Sequence, residues 1–236
     1  MRDQADLENY FSLCGQTVFK IKVCGITSPA DALAAQAAGA DAVGLNFYAR
    51  SPRYVSQDSA MRVLSECGGL ATVGVFVNKP VVEILSVAAE LGLSAVQLHG
   101  DESPGCIAAL GGLRAIRARR MGEQGIAAIA EDLLACQAAG RLPDAVLIDA
   151  FQPGRYGGTG ETVAWADLAD HRETLGGVPL ILAGGLTPDN VAEAIYAARP
   201  AAVDVASGVE SSPGVKDHAK VRAFVEAART AFTRFE

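Results

Sequence analysis

Two residues stand where a base and an acid would be useful. Cys24 ends the apolar run that begins at Phe19, and Asp149 ends the run Ala145-Val146-Leu147-Ile148. A free cysteine is most often a small buried hydrophobe. One that closes a strand just ahead of a helix N-terminus has a route to a lowered pKa and to acting as a base. Here Gly25-Ile26-Thr27 lead from Cys24 into Ser28-Pro29, a helix start. Asp149 either tethers a loop or, in its apolar surroundings, keeps a proton available for general acid work.

Other residues suggest binding. Ala183-Gly184-Gly185-Leu186 and Ala206-Ser207-Gly208-Val209 follow the last two apolar runs. Glycines there let backbone N–H groups approach an anion such as phosphate, aided by a short helix N-terminus. Arg53, within Ser51-Pro52-Arg53-Tyr54, offers a planar fork for a carboxylate or is simply a solvated charge. His99, in Val96-Gln97-Leu98-His99-Gly100, reads as a hydrogen-bonded residue at a strand end, because His171 and His218 lie elsewhere and no metal-triad spacing occurs. Gly157-Gly158-Thr159-Gly160 reads equally as a mobile flap or a connector.

Eight short apolar runs must position these groups. They are Phe19 to Cys24, Ala42 to Phe47, Ala71 to Val77, Ala95 to Leu98, Arg114 to Ala118, Ala145 to Asp149, Pro179 to Ala183 and Ala202 to Ala206. Ala-rich amphipathic stretches separate them, as crossover helices separate parallel strands. Ser28-Pro29 and Thr187-Pro188 each put a capping hydroxyl before a proline at a first helical position. Gly39, Gly92 and Gly140 precede the next strands, where a left-handed residue turns the chain back. Eight such units predict an α/β fold, a single-domain (β/α)8 TIM barrel, over an open doubly wound sheet. In that fold catalytic groups sit at the C-terminal ends of the strands, where Cys24, Asp149 and both glycine loops fall. The fifth run, carrying Arg114, Arg117, Arg119 and Arg120, is the least strand-like.

With 236 residues, half of them apolar, the chain can bury one sizeable core. Residues 1–17 are expected to be a flexible N-terminal extension and 18–236 the barrel. Cysteines 14, 24, 67, 106 and 136 are odd in number and unpaired in spacing, which fits a reducing cytoplasm. No run approaches the ~18 apolar residues of a membrane span, and a net charge of -7 disfavours nucleic acid and anionic membranes. No metal site and no cofactor is expected; the expected partner is a small phosphorylated substrate, and the chain is expected to act as a monomer or homodimer.

Taken in order, the motifs resemble the phosphoribosylanthranilate isomerase family from Lys20 to about Arg229. Six segments carry the likeness: Lys22-Val23-Cys24-Gly25-Ile26-Thr27; Gly39-Ala40-Asp41-Ala42-Val43-Gly44 with Ser51-Pro52-Arg53; Val73-Gly74-Val75-Phe76-Val77-Asn78; Val96-Gln97-Leu98-His99-Gly100; Gly157 to Gly160; and Val203-Asp204-Val205-Ala206-Ser207-Gly208-Val209-Glu210 with Pro213 to Asp217. The resemblance implies a cofactor-free Amadori rearrangement of tryptophan biosynthesis. It assigns Cys24 as general base and Asp149 as general acid. Arg53 would meet the anthranilate carboxylate, Asp204 would lie beside the ligand, and Gly184, Gly185, Ser207 and Gly208 would hold phosphate. Asn46, Val163-Ala164-Trp165 and the insertion-like Phe151 to Arg155 depart from the pattern. A sugar-phosphate epimerase would need metal-ligating histidines, and indole-glycerol-phosphate synthase a strand-end lysine. A barrel that only binds phosphate would have no need of both Cys24 and Asp149.

Overall fold

The structure, a computed structural model, describes residues 18–122, 124–149 and 165–235. The predicted extension, the Gly157 to Gly160 segment and the Phe151 to Arg155 insertion lie outside the described residues.

Eight parallel strands close into one barrel in chain order. They are β1 (Ile21–Cys24), β2 (Ala42–Asn46), β3 (Ala71–Phe76), β4 (Ala95–Leu98), β5 (Ala115–Arg120), β6 (Ala145–Asp149), β7 (Leu180–Ala183) and β8 (Ala202–Val205). Helices α1 (Pro29–Ala38), α2 (Gln57–Leu64), α3 (Val81–Leu91), α4 (Gly105–Ala109), α5 (Gly125–Ala138), α6 (His171–Thr174), α7 (Val191–Ala198) and α8 (His218–Phe232) follow the strands in turn. A two-stranded hairpin, β9 (Glu210–Ser212) with β10 (Val215–Lys216), interrupts the path from β8 to α8.

Strand residues alternate between barrel interior and helix layer, since successive side chains point to opposite faces. Ala42, Val73, Ala95, Ile116, Ala118, Ala145, Leu147, Ile181, Ala183 and Ala202 form the interior cluster, with Phe19 packed against them below the start of β1. The larger cluster lies outside, between strands and helices, and contains Ile21, Val23, Val43, Leu45, Leu98, Val146, Ile148 and Val203. Carrying the same alternation upward brings Lys22, Cys24, Asn46, Gln97, His99, Arg120, Asp149 and Asp204 to the interior side. The strand register sets Lys22 beside Asp204 and Arg120 beside Asp149.

Local chemistry accounts for the element ends. Ser28 accepts a hydrogen bond from Asp31 N at 3.2 Å and starts α1 on Pro29 as predicted. Gly39 and Gly92 close α1 and α3 at φ 84° and 61°, the left-handed region expected for them. Around α7 the expectation fails. The helix begins at Val191, not at Pro188, and Asn190 Oδ1 accepts from Thr187 N at 2.8 Å, closing a turn that holds Pro188 outside the helix.

The fifth strand also differs from its prediction, ending at Arg120 instead of Ala118. Arg117 and Arg119 face outward and both bind Asp132 of α5. Arg117 Nη2 lies 2.7 Å from Asp132 Oδ1, Arg119 Nε 3.0 Å from Oδ2, and the fully buried Arg117 also donates to Glu102 O at 3.1 Å. Charge on this strand is therefore a strand–helix clamp. No helix among the described residues is long and apolar enough to cross a membrane.

Candidate active site

β1 and β8 supply the centre of the site. Cys24 lies at the barrel mouth, almost fully buried, two residues above Lys22 on the same face. The Lys22 ammonium and the Asp204 carboxylate meet at 2.9 Å, both inside the barrel. Gly44 stands opposite Cys24 on β2, and a Cβ there would come within 2.7 Å of the thiol sulfur, so glycine keeps room for it.

Burial pushes the Cys24 thiol above its ordinary pKa, and Asp204 adds to that; Lys22 and Lys216 oppose it. The predicted lowering does not hold. A helix end contributes only a partial charge, whereas the thiol loses nearly all its contact with water. Lys22 is itself raised: burial works against its charge, but Asp204 and Cys24 outweigh it, and it stays an ammonium.

Beside this group, Gln97 Nε2 and His99 Nδ1 are 2.8 Å apart. Burial lowers the His99 pKa, so its neutral ring accepts from the amide and stays in place. Asp204, Lys22, Asp149 and Arg120 are the charges it senses, which puts all of them around the same mouth. Asp149 closes β6 as predicted and is only partly buried. Asn46 turns its Oδ1 to Tyr48 N at 2.9 Å, which gives this polar residue a structural use at the end of β2.

Arg53 lies across Gly25, the residue after Cys24. Gly25 adopts φ 72°, and a Cβ on it would stand 2.4 Å from Arg53 Cδ, so the arginine stem rests directly on a bare backbone. Its guanidinium is gripped by Glu210, with Nε to Oε1 and Nη2 to Oε2 both at 2.7 Å. Burial raises the Glu210 carboxyl, but hydrogen bonds from Arg53 and Lys216 prevail and hold it below its ordinary value.

The two glycine loops touch. Gly184 and Gly185 take φ 88° and 65°, and a Cβ on Gly208 would stand 1.8 Å from Leu186 O. Only glycine permits that approach, so the loop after β7 and the turn Ser207–Val209 after β8 form one continuous surface.

The structure thus gathers Cys24, Asp204, Arg53 and Asp149 around one opening, with the glycine loops on its β7 and β8 side. Lys22, Gln97, Glu210 and Lys216 join this group, although their positions along the chain assign them no role. For Lys22 the signal was available: a lysine in an apolar strand, on the same face as Cys24. Among the described residues, no group of three or more histidine, cysteine or acidic side chains is placed to hold a metal ion.

A closed parallel barrel with a thiol, carboxylates and glycine loops at the C-terminal ends of its strands has the layout of a (β/α)8-barrel enzyme, whose active site lies at that end. Comparison with known proteins narrows the class. Residues 21–227 match the family model described as N-(5'phosphoribosyl)anthranilate (PRA) isomerase, and the chain belongs to that family. It is 46% identical over 212 residues to N-(5'-phosphoribosyl)anthranilate isomerase of Geobacter metallireducens, covering 89% of this chain and 98% of the relative. The crystal structure of phosphoribosyl anthranilate isomerase from Thermotoga maritima superposes with a TM-score of 0.78 at 38% identity, covering 90% and 99% of the two chains. A further isomerase structure, in complex with reduced 1-(o-carboxyphenylamino)-1-deoxyribulose 5-phosphate, has a TM-score of 0.74 at 36% identity and covers 90% and 99%.

Proposed function

We propose that this site converts N-(5-phosphoribosyl)anthranilate to 1-(2-carboxyphenylamino)-1-deoxyribulose 5-phosphate, an Amadori rearrangement in L-tryptophan biosynthesis, with Asp149 as acid and Cys24 as base. The chain is an isomerase by family. The observation that carries the residue roles is the gathering of Cys24, the Lys22–Asp204 pair and Asp149 around one barrel mouth.

Asp149 gives a proton to the furanose ring oxygen as the C1–O bond breaks, leaving a protonated Schiff base. The Cys24 thiolate then takes the proton from the adjacent sugar carbon. The electron pair released forms the enolamine, which tautomerises to the ketone without redox change. Burial keeps the resting thiol largely protonated, and Lys22 and Lys216 favour the share that is thiolate. The cationic Schiff base brings a positive charge to the same place and raises that share when it is needed. The Lys22–Asp204 pair holds this charge balance inside the barrel.

Arg53 takes the anthranilate carboxylate, and Gly184, Gly185, Ser207 and Gly208 take the phosphate. These contacts are remote from the reacting carbons and supply position more than chemistry. The chain works in the cytoplasm as a monomer or homodimer, and its net charge of -7 leaves nucleic acid and anionic membranes unsuited as partners.

The test is the fall in anthranilate-type fluorescence when purified protein meets phosphoribosylanthranilate. Wild type consumes the substrate, and Cys24→Ala and Asp149→Asn each lose about 10²- to 10⁴-fold in kcat while remaining folded. Binding without conversion by wild type would overturn the isomerase reading. Full activity in either variant would remove that residue from the mechanism.

A further inference from the structure

The hairpin β9–β10 has no counterpart in the strand and helix repeat, yet it touches three loops of the barrel mouth. Thr27 Oγ1, after β1, donates to Gly214 O at 2.7 Å. Gly214 itself, at φ 83°, would bring a Cβ within 2.7 Å of Pro52 O in the Arg53 loop. Lys216 Nζ donates to Ala206 O at 3.0 Å, at the entrance to the Ser207–Gly208 turn, and to Glu210 Oε1 at 2.9 Å.

Glu210 and Lys216 are both buried, at 8% and 4% exposure. Buried charges are retained only when paired and hydrogen-bonded. Here one carboxylate serves two cations, Arg53 and Lys216, so the triad keeps one positive charge in excess. Glu210 grips the side of the guanidinium that carries Nε and Nη2. A guanidinium has five N–H groups, and the edge bearing both Nη nitrogens can still receive a second carboxylate in a parallel pair of hydrogen bonds.

We infer that Glu210 and Lys216 are positioning residues of the isomerase reaction. Glu210 aims Arg53 at the substrate carboxylate, while Lys216 supplies the surplus charge and ties Arg53 to the phosphate loop through Ala206. This rests on the binding roles proposed for Arg53 and the Ser207–Gly208 turn. The consequence is a link between the two anionic ends of the substrate: a change at Lys216 weakens both, and a change at Glu210 weakens one.

Steady-state kinetics of the full chain, with inorganic phosphate as a competitive inhibitor, reads both ends. Lys216→Met is expected to raise KM about tenfold and to weaken phosphate inhibition several-fold, with kcat also falling several-fold because a cation that favours the Cys24 thiolate is gone, and Lys216→Arg to recover most of the KM. Glu210→Gln is expected to raise KM while leaving phosphate inhibition unchanged. The inference is overturned if Lys216→Met lowers kcat at unchanged KM, if it leaves phosphate inhibition untouched, or if Lys216→Arg restores nothing. Should Lys216→Met not fold, Lys216→Arg and Glu210→Gln decide. Phosphate inhibition weakened by Glu210→Gln as much as KM would overturn it. If wild type fails to turn over the substrate, the isomerase reading falls, and calorimetric titration of inorganic phosphate into wild type and Lys216→Met still tests the link.

Discussion

Among the described residues, two buried ion-pair systems are built on the parallel strands, and they serve opposite ends. On β5, Arg117 and Arg119 face outward and share Asp132 of α5. On β1 and β8, Lys22 and Asp204 face inward and meet beneath Cys24. The residue types are alike; the face of the sheet differs. An outward charge is walled in by a helix and can only hold strand to helix. An inward charge near the C-terminal end of a strand lies at the barrel mouth, where Lys22 and Asp204 act in opposite directions on a thiol that burial has already raised.

The comparison is most sharply tested at Asp132. Asp132→Ala leaves the fully buried Arg117 without its carboxylate and is expected to destabilise the fold by about 3 kcal/mol, the usual result of stripping one partner from a buried pair. At temperatures where the variant stays folded, kcat/KM should change less than twofold. A large loss of rate with native stability would show that the outer clamp belongs to the catalytic machinery after all.

The inner pair should differ in rate. Lys22→Met is expected to lower kcat by roughly 10²-fold at temperatures where it stays folded, besides the loss of stability that follows from leaving Asp204 buried without its cation. The same variant sharpens the electrostatic account. Cys24 alkylation by iodoacetamide should show a midpoint above that of an ordinary thiol in wild type. In Lys22→Met it should lie higher still, because the cation favouring the thiolate is gone while Asp204 remains. An unchanged midpoint would mean that Lys22 does not act on Cys24.

Acid provides the mildest contrast. Burial raises the Asp132 carboxyl, but hydrogen bonds from Arg117 and Arg119 outweigh it and hold the folded pKa below the ordinary value. A depressed acid contributes stability that is complete above its unfolded pKa, about 4, and is lost as pH falls through the folded value. Denaturant unfolding should therefore show wild type losing stability below about pH 4 and Asp132→Asn losing less across the same window. Parallel curves would leave acid unfolding to other carboxylates.

Much of this architecture was readable along the chain because its signals are local. Valine- and alanine-rich runs between amphipathic stretches mark strands and helices, and Ser28-Pro29, Gly39 and Gly92 mark ends through backbone preferences that operate within a few residues. Cys24 and Asp149 stood out because each terminates an apolar run. Thr187-Pro188 misled because Asn190, two residues beyond the proline, closes the turn with its own side chain and moves the helix start. Arg117 and Arg119 obscured a strand because their partner lies on the next helix.

What the sequence determined, then, is the order of the units, the barrel class and the thiol and carboxylate at the strand ends, since each follows from alternation and position. Only the tertiary structure decided which charges meet. Lys22 and Asp204 are separated by nearly the whole barrel in sequence and become neighbours because β1 closes on β8. Arg53 and Glu210 meet because the β9–β10 hairpin folds back over the loops after β1 and β2. Closure of the barrel also set the sign of the Cys24 shift. A nearby helix end and two lysines all favour the thiolate, but the depth of burial that closure imposes outweighs them.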